Sequence, residues 1–229
     1  MGQGETAEQP LLQRPGALDP PRGLPLRACL LSGGASRRMG CDKALLPHPE
    51  GGTWLERTLL LLAQLEVPIT LLSRHPAHLE LAQRLNDRLH ASSGSSPPRR
   101  ITPLAEPPPW EGPLLALHRL MQRHPDQRLV LCPVDMPSLT LAALHTLLAA
   151  ANDPGSTQEL PRLHLAHDGE RLQPLLGLYP SITPIRTHLA AAVQRGERRL
   201  QSWLATQMFR AVALDPRAIR NVNRPGPIS

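Results

Sequence analysis

Leu31-Ser32-Gly33-Gly34-Ala35-Ser36-Arg37-Arg38-Met39-Gly40-Cys41-Asp42-Lys43 is the stretch whose reading decides the fold of this chain. It follows directly on a short apolar run, Leu26–Leu31 (LRACLL), which predicts a buried strand. Adjacent glycines at a strand end let the backbone approach a ligand and aim its N–H groups at phosphate oxygens. Arg37, Arg38 and Lys43 add cationic donors suited to a triphosphate. A bare strand-to-helix turn would explain Gly33 and Gly34, but not these cations together with Gly40. Spacing excludes two common phosphate loops. A P-loop needs Gly-Lys-Ser/Thr, whereas Gly40 is followed by Cys41 and Lys43 by Ala44. The dinucleotide fingerprint needs G-x-G-x-x-G, whereas Gly33 and Gly34 are adjacent.

Downstream, strand and helix signals alternate. Thr53-Trp54-Leu55-Glu56 has capping-box spacing and predicts a helix to Leu65. Ile69–Ser73 predicts a strand, Pro76 opens a helix to about Leu89, and Ile101–Leu104 predicts a further strand. Gly112-Pro113 begins a helix to about Arg123, Leu129–Leu131 is a strand running into Pro133-Val134-Asp135, and a helix covers about Thr140–Ala151. This order implies an α/β fold, a mostly parallel sheet with helices on both faces. The pattern then changes. Arg162–Ala166 and Leu172–Tyr179 predict a β-hairpin turning at Asp168-Gly169, before helices at about Pro184–Gln194 and Arg198–Gln207 and a strand near Arg210–Ala213. Residues 1–25 show neither period and read as a disordered tail, residues 26–229 as a single domain, and residues 91–100 (ASSGSSPPRR) as a surface loop.

Composition narrows the function. With 229 residues and 41% hydrophobic content the chain has an aliphatic core, which excludes a wholly disordered or collagen-like polymer. Aromatics are only 2%, too few for an RNA-binding stacking platform. The net charge of +6 suits a polyanionic partner without naming it, and equally suits plain solubility. Cys29, Cys41 and Cys132 are odd in number and not in C-x-x-C spacing, so neither a disulfide scaffold nor a zinc site is indicated. The start of the chain lacks an apolar signal segment, and Leu139–Ala151 is too short to span a bilayer. A cytoplasmic protein without a membrane partner is expected.

Asp135 stands where the strand Leu129–Leu131 runs out, and α/β proteins place ligands at such carboxyl ends. A carboxylate there suits Mg²⁺, which takes few protein oxygens and several from substrate phosphates; a turn or helix-cap Asp is the plainer alternative.

The stretch LSGGASRRMGCDKALL resembles the signature of the molybdenum cofactor guanylyltransferases, nucleoside-triphosphate transferases with a Rossmann-like fold. The resemblance implies that Leu31, Ser32, Gly33, Gly34, Gly40 and Lys43 bind the nucleotide, with Arg38 and Lys43 on phosphates. Val134-Asp135-Met136-Pro137 is similar to a family segment whose Asp binds the metal, which assigns Mg²⁺ to Asp135. Glu106 takes the place of a family Asp that contacts the nucleotide, and Gly112 opens the matching helix against the substrate. Ser73, or Arg74, corresponds to an Asn that contacts the base. His167-Asp168-Gly169-Glu170-Arg171, Gly196-Glu197-Arg198-Arg199 and Asn221-Val222-Asn223 resemble three segments that line a pterin pocket, which carries over Arg199, Asn221 and Asn223. Residues 26–150 would then hold the nucleotide and residues 160–225 the pterin substrate. The departures are Glu106 for Asp, Leu115-Ala116-Leu117 where Ala-Gly-Ile is usual, and Arg224 for Thr.

The implied activity moves GMP from GTP to molybdenum-molybdopterin and releases pyrophosphate, with Lys43, Arg38 and Asp135 catalytic and Mg²⁺ as cofactor. Acceptor molybdoenzymes or their chaperones are the implied protein partners, and nucleic acid is not. Two other readings stay open: a sister cytidylyltransferase using CTP, and a non-catalytic nucleotide- or nucleic-acid-binding module on the same fold.

Overall fold

The computed structural model describes residues 23–34, 42–92, 101–152 and 162–222. Most of the expected tail and most of the 91–100 loop lie outside the described residues, as do Arg38, Gly40 and Asn223.

Seven strands form one sheet: β1 (Leu26–Leu31), β2 (Ile69–Ser73), β3 (Ile101–Ala105), β4 (Arg128–Pro133), β5 (Leu163–His167), β6 (Leu172–Pro180) and β7 (Phe209–Ala213). The helices are α1 (Trp54–Ala63), α2 (Pro76–Ser92), α3 (Pro113–Arg123), α4 (Leu141–Ala150), α5 (Thr183–Gln194) and α6 (Leu200–Leu204). The strand order is β3-β2-β1-β4-β6-β5-β7. All neighbours pair parallel except those of β6, which runs antiparallel to both β4 and β5. The expected hairpin is therefore built into the main sheet.

Strand periodicity divides the core. Ala28 and Leu30 of β1 join α1, α2 and α4 on one face, while Cys29 joins α3, α5 and α6 on the other. Burial pushes the Cys29 thiol up to about 12, which leaves it an unreactive core group. Three of the few aromatics, Trp54, Tyr179 and Trp203, are spent in this packing, each 3% exposed or less. Helix α1 starts as its sequence predicts: Thr53 Oγ1 accepts the Glu56 N–H while the Glu56 carboxylate accepts the Thr53 N–H.

Helix α6 is shorter than the expected Arg198–Gln207. The Glu197 carboxylate accepts the N–H groups of both Arg198 and Arg199 at 2.7 Å and holds Arg199 extended. At the other end the Thr206 hydroxyl donates to the Trp203 carbonyl at 2.6 Å, closing the helix. These side-chain bonds compete with the helical ladder.

His124, at the end of α3, is 8% exposed and shares a hydrogen bond at Nε2 with the Thr70 hydroxyl, whose oxygen accepts from Arg27. Burial, with Arg27 and Arg123 nearby, lowers its pKa from 6.5 to about 4. The unfolded chain thus binds a proton below pH 6.5 that the folded chain refuses until about pH 4. Stability from this site is complete above pH 6.5 and declines as pH falls toward 4, by about 3 kcal/mol. Urea unfolding midpoints between pH 7 and 4.5 are expected to drop less in His124→Gln than in the parent.

Candidate active site

The strand order creates the site. From β1 the chain steps outward through β2 and β3, then returns to place β4 on the other side of β1. The crevice beyond the carboxyl ends of β1 and β4 lies at this switch point. Register sets what faces it: Leu31 pairs with both Leu72 and Pro133, and Ser73 pairs with Ala105. The next residues out are accordingly Ser32-Gly33-Gly34, Arg74, Glu106 and Val134-Asp135, in one row. The Val134 N–H bonds the Leu31 carbonyl at 3.2 Å, and the Glu106 N–H bonds the Ser73 carbonyl at 2.8 Å.

A cavity of about 590 Å³ opens over this row, lined among others by Leu31, Gly33, Gly34, Lys43, Glu106 and Asp135. Lys43 begins a short 3-10 turn, Lys43–Leu45, whose first N–H groups are capped by Asp42. Its ammonium lies 4.0 Å from Asp135 Oδ2. Burial pushes the Asp135 carboxyl up, and the Lys43 charge pulls it partly back. Asp135 Oδ1 is buried and has no hydrogen-bond partner among the described residues. An orphaned carboxylate oxygen at a strand end is a fit donor for a hard cation that takes its remaining ligands from phosphates. Among the described residues no group of three His, Cys, Asp or Glu side chains could hold a metal by itself.

Glu106 is 9% exposed. Its Oε1 accepts from Arg119 at 2.9 Å, and its backbone carbonyl accepts the Trp110 indole N–H at 2.9 Å. Burial raises its carboxyl against the pull of Arg119 and Arg74. A Cβ on Gly33 would meet Glu106 Oε2 at 2.6 Å. Arg119 holds the other oxygen of that carboxylate, so a side chain at Gly33 would require the Glu106 carboxylate to shift. Gly112, with φ +100°, needs glycine for its backbone conformation and also lines the cavity.

A second cavity, of about 510 Å³, shares Pro113, Asp135 and Leu175 with the first. Its wall carries Arg171, Gln173, Arg198, Arg199 and Asn221. The Asn221 amide donates to Gln173 Oε1 at 2.9 Å, and the Val222 N–H bonds the Asp135 carbonyl at 3.0 Å. The antiparallel course of β6 makes this possible, because it brings the start of that strand beside the end of β4.

Of the residues expected from sequence, Leu31, Gly33, Gly34, Lys43, Glu106, Gly112 and Asp135 come together at the first cavity, and Arg199, Asn221 and Asp135 at the second. Ser73 and Ser32 do not line either. Both side chains are buried, at 0% and 3%, and bond His78, so of the two alternatives at this strand end, Ser73 or Arg74, it is Arg74 that lines the cavity. Arg119, Trp110 and His78 were not anticipated. They lie in helical or Pro-rich segments whose spacing says nothing about which strand end they meet.

A strand-end glycine loop, a lysine and a buried carboxylate at a shared cavity wall are the parts of a nucleotidyltransferase. Residues 28–212 match the MobA-like NTP transferase domain, and the chain belongs to that family. It is 32% identical over 211 residues, 89% of this chain and 90% of the other, to a Rhodopirellula baltica protein named "Probable molybdenum cofactor guanylyltransferase". A Shewanella protein named "Molybdenum cofactor guanylyltransferase" is 30% identical over 208 residues, covering 88% of this chain and 92% of that one. Among solved structures, the molybdopterin-guanine dinucleotide biosynthesis protein A of Archaeoglobus fulgidus shares the fold with TM-score 0.58 at 17% identity, over 87% of this chain and 93% of that one.

Proposed function

We propose that the enzyme transfers GMP from GTP to the terminal phosphate of molybdenum-molybdopterin, forming molybdopterin guanine dinucleotide and releasing pyrophosphate. The observation that carries this reading is the position of Asp135 in the wall common to both cavities. A donor nucleotide in the first cavity and an anionic acceptor among the arginines of the second would meet there. The names of the relatives support guanylyl transfer and this acceptor.

The attacking group is a phosphate already ionised at neutral pH, so no general base is needed. The main tasks of the chain are alignment and charge stabilisation. Gly33 and Gly34 present backbone to the nucleotide. Lys43 neutralises charge that develops on the phosphates, with Arg38 as its expected companion. Arg171, Arg198 and Arg199 hold the acceptor phosphate, while Gln173 and Asn221 meet the donors and acceptors of a pterin ring. Asp135, with its buried unpartnered oxygen, would hold Mg²⁺. When bound, the ion supplies charge neutralisation at the reacting phosphates.

A radiolabelled transfer assay with each of the four common ribonucleoside triphosphates, Mg²⁺ and molybdenum-molybdopterin tests the assignment. Label from GTP is expected in the dinucleotide product. Preferential transfer from CTP would overturn the choice of base, and no transfer from any of the four would overturn the choice of acceptor.

A further inference from the structure

One buried imidazole ties together the segments that build the first cavity. His78 of α2 is 1% exposed. Its Nε2 lies 2.7 Å from Asp42 Oδ2, and its Nδ1 lies 2.9 Å from both Ser32 Oγ and Ser73 Oγ. Each of these partners immediately precedes a residue of the cavity wall: Ser32 precedes Gly33, Asp42 precedes Lys43, and Ser73 precedes Arg74. The ends of β1 and β2 and the turn bearing Lys43 thus share one anchor.

The Ser73 hydroxyl gives its proton to the Ser32 carbonyl at 3.2 Å and accepts the His75 N–H at 3.1 Å. The Nε2–H donates to the Asp42 carboxylate, which can only accept, while the direction of the Nδ1 contacts with Ser32 and Ser73 depends on the imidazole tautomer. Asp42 uses both oxygens: Oδ2 receives the imidazole, and Oδ1 receives the Ala44 N–H at 3.1 Å, which caps the turn starting at Lys43. The spacing of Ser, His and Asp is like that of a hydrolase triad. Both hydroxyls are shut away from solvent, however, and Ser73 has its proton committed, so neither can reach an acyl group.

We propose that His78 is a positioning residue for nucleotidyl transfer: through Asp42 it fixes the turn that aims Lys43, and through Ser32 and Ser73 it fixes the entries to the glycine loop and Arg74. The inference rests on the reading that the first cavity holds the nucleotide. It goes beyond that reading by assigning a role to a residue outside the lining of the cavity.

The test uses the full chain with His78→Gln, Asp42→Ala, Lys43→Ala and the Asp42→Ala/Lys43→Ala double variant, measuring Mg²⁺–GTP affinity, single-turnover transfer and melting temperature. For His78→Gln and Asp42→Ala, affinity is expected to fall about tenfold and the single-turnover rate about 10–100-fold in protein that is still folded. In the Lys43→Ala background, Asp42→Ala is expected to cost no more than about threefold in affinity, because both changes remove one shared interaction. Wild-type affinity and rate in both single variants would overturn the proposal, and so would losses that multiply fully in the double variant. Should His78→Gln fail to fold, Asp42→Ala decides alone, since the Asp42 side chain is 32% exposed and its removal spares the core. A parent protein that binds no nucleoside triphosphate would instead remove the nucleotide reading itself.

Discussion

Asp135→Asn is expected to lower nucleotidyl transfer by at least about 10³-fold without lowering the melting temperature. The two effects separate for a physical reason. Asn keeps the shape of the side chain and its place at the end of β4, so the crevice and the Val134–Leu31 bond remain. What disappears is the negative charge at the junction of the two cavities. The folded protein gains little from that charge: burial disfavours it, Lys43 compensates from 4.0 Å, and Oδ1 has no partner among the described residues. Removing a charge that folding disfavours is neutral or stabilising, so function and stability trade against each other here. Lys43→Ala is expected to show comparable loss of transfer, with weaker binding of triphosphate than of the nucleoside. Calorimetry alongside the transfer assay checks both. Near-parental turnover in either variant would remove the assignment of Asp135 and Lys43 to the reaction.

Arg119→Met is the substitution expected to cost most in stability, about 3–5 kcal/mol. Met approximates the volume of the Arg stem but leaves the Glu106 carboxylate, 9% exposed, without its 2.9 Å partner. Burial already raises the Glu106 carboxyl, and loss of Arg119 removes its chief counterweight. At this chain length the melting temperature should fall by roughly 6–20 °C. Adding Glu106→Gln to Arg119→Met is expected to recover most of the loss, because a neutral amide needs no countercharge. A double variant no more stable than Arg119→Met would show that the cost is packing rather than an uncompensated charge. Glu106→Asp alone is expected to withdraw the carboxylate from Gly33 and to loosen the wall of the first cavity.

Much of the site was legible before any coordinates. Gly33 and Gly34 follow one apolar strand and Asp135 follows another, with Lys43 in the same segment as the glycines, so their shared place in the wall of the first cavity could be read locally. Ser73 and Arg74 show where local reading leaves two candidates. The position of Ser73 at the end of β2 is right, but strand alternation turns its hydroxyl inward to His78 and leaves Arg74 facing the cavity. Glu106 shows a subtler case. Its cavity position follows from its place after β3, whereas its partner Arg119 and its grip on Gly33 depend on how α3 packs across the sheet.

Taken alone, the amino-acid sequence determined the order of strands and helices, the capped start of α1, and the glycine–cation segment that marks nucleotide chemistry. These rest on hydrogen bonds and periodicities that span a few residues, so the information is complete within each segment. Only the tertiary structure decided that β4 returns beside β1, that β6 runs antiparallel and brings a second cavity to Asp135, and that His78 gathers three separate strand and turn ends. Apart from His78–Ser73, five positions apart, those contacts join residues about 40 to 100 positions apart, and their geometry is set by how whole elements pack, which no short stretch of sequence encodes.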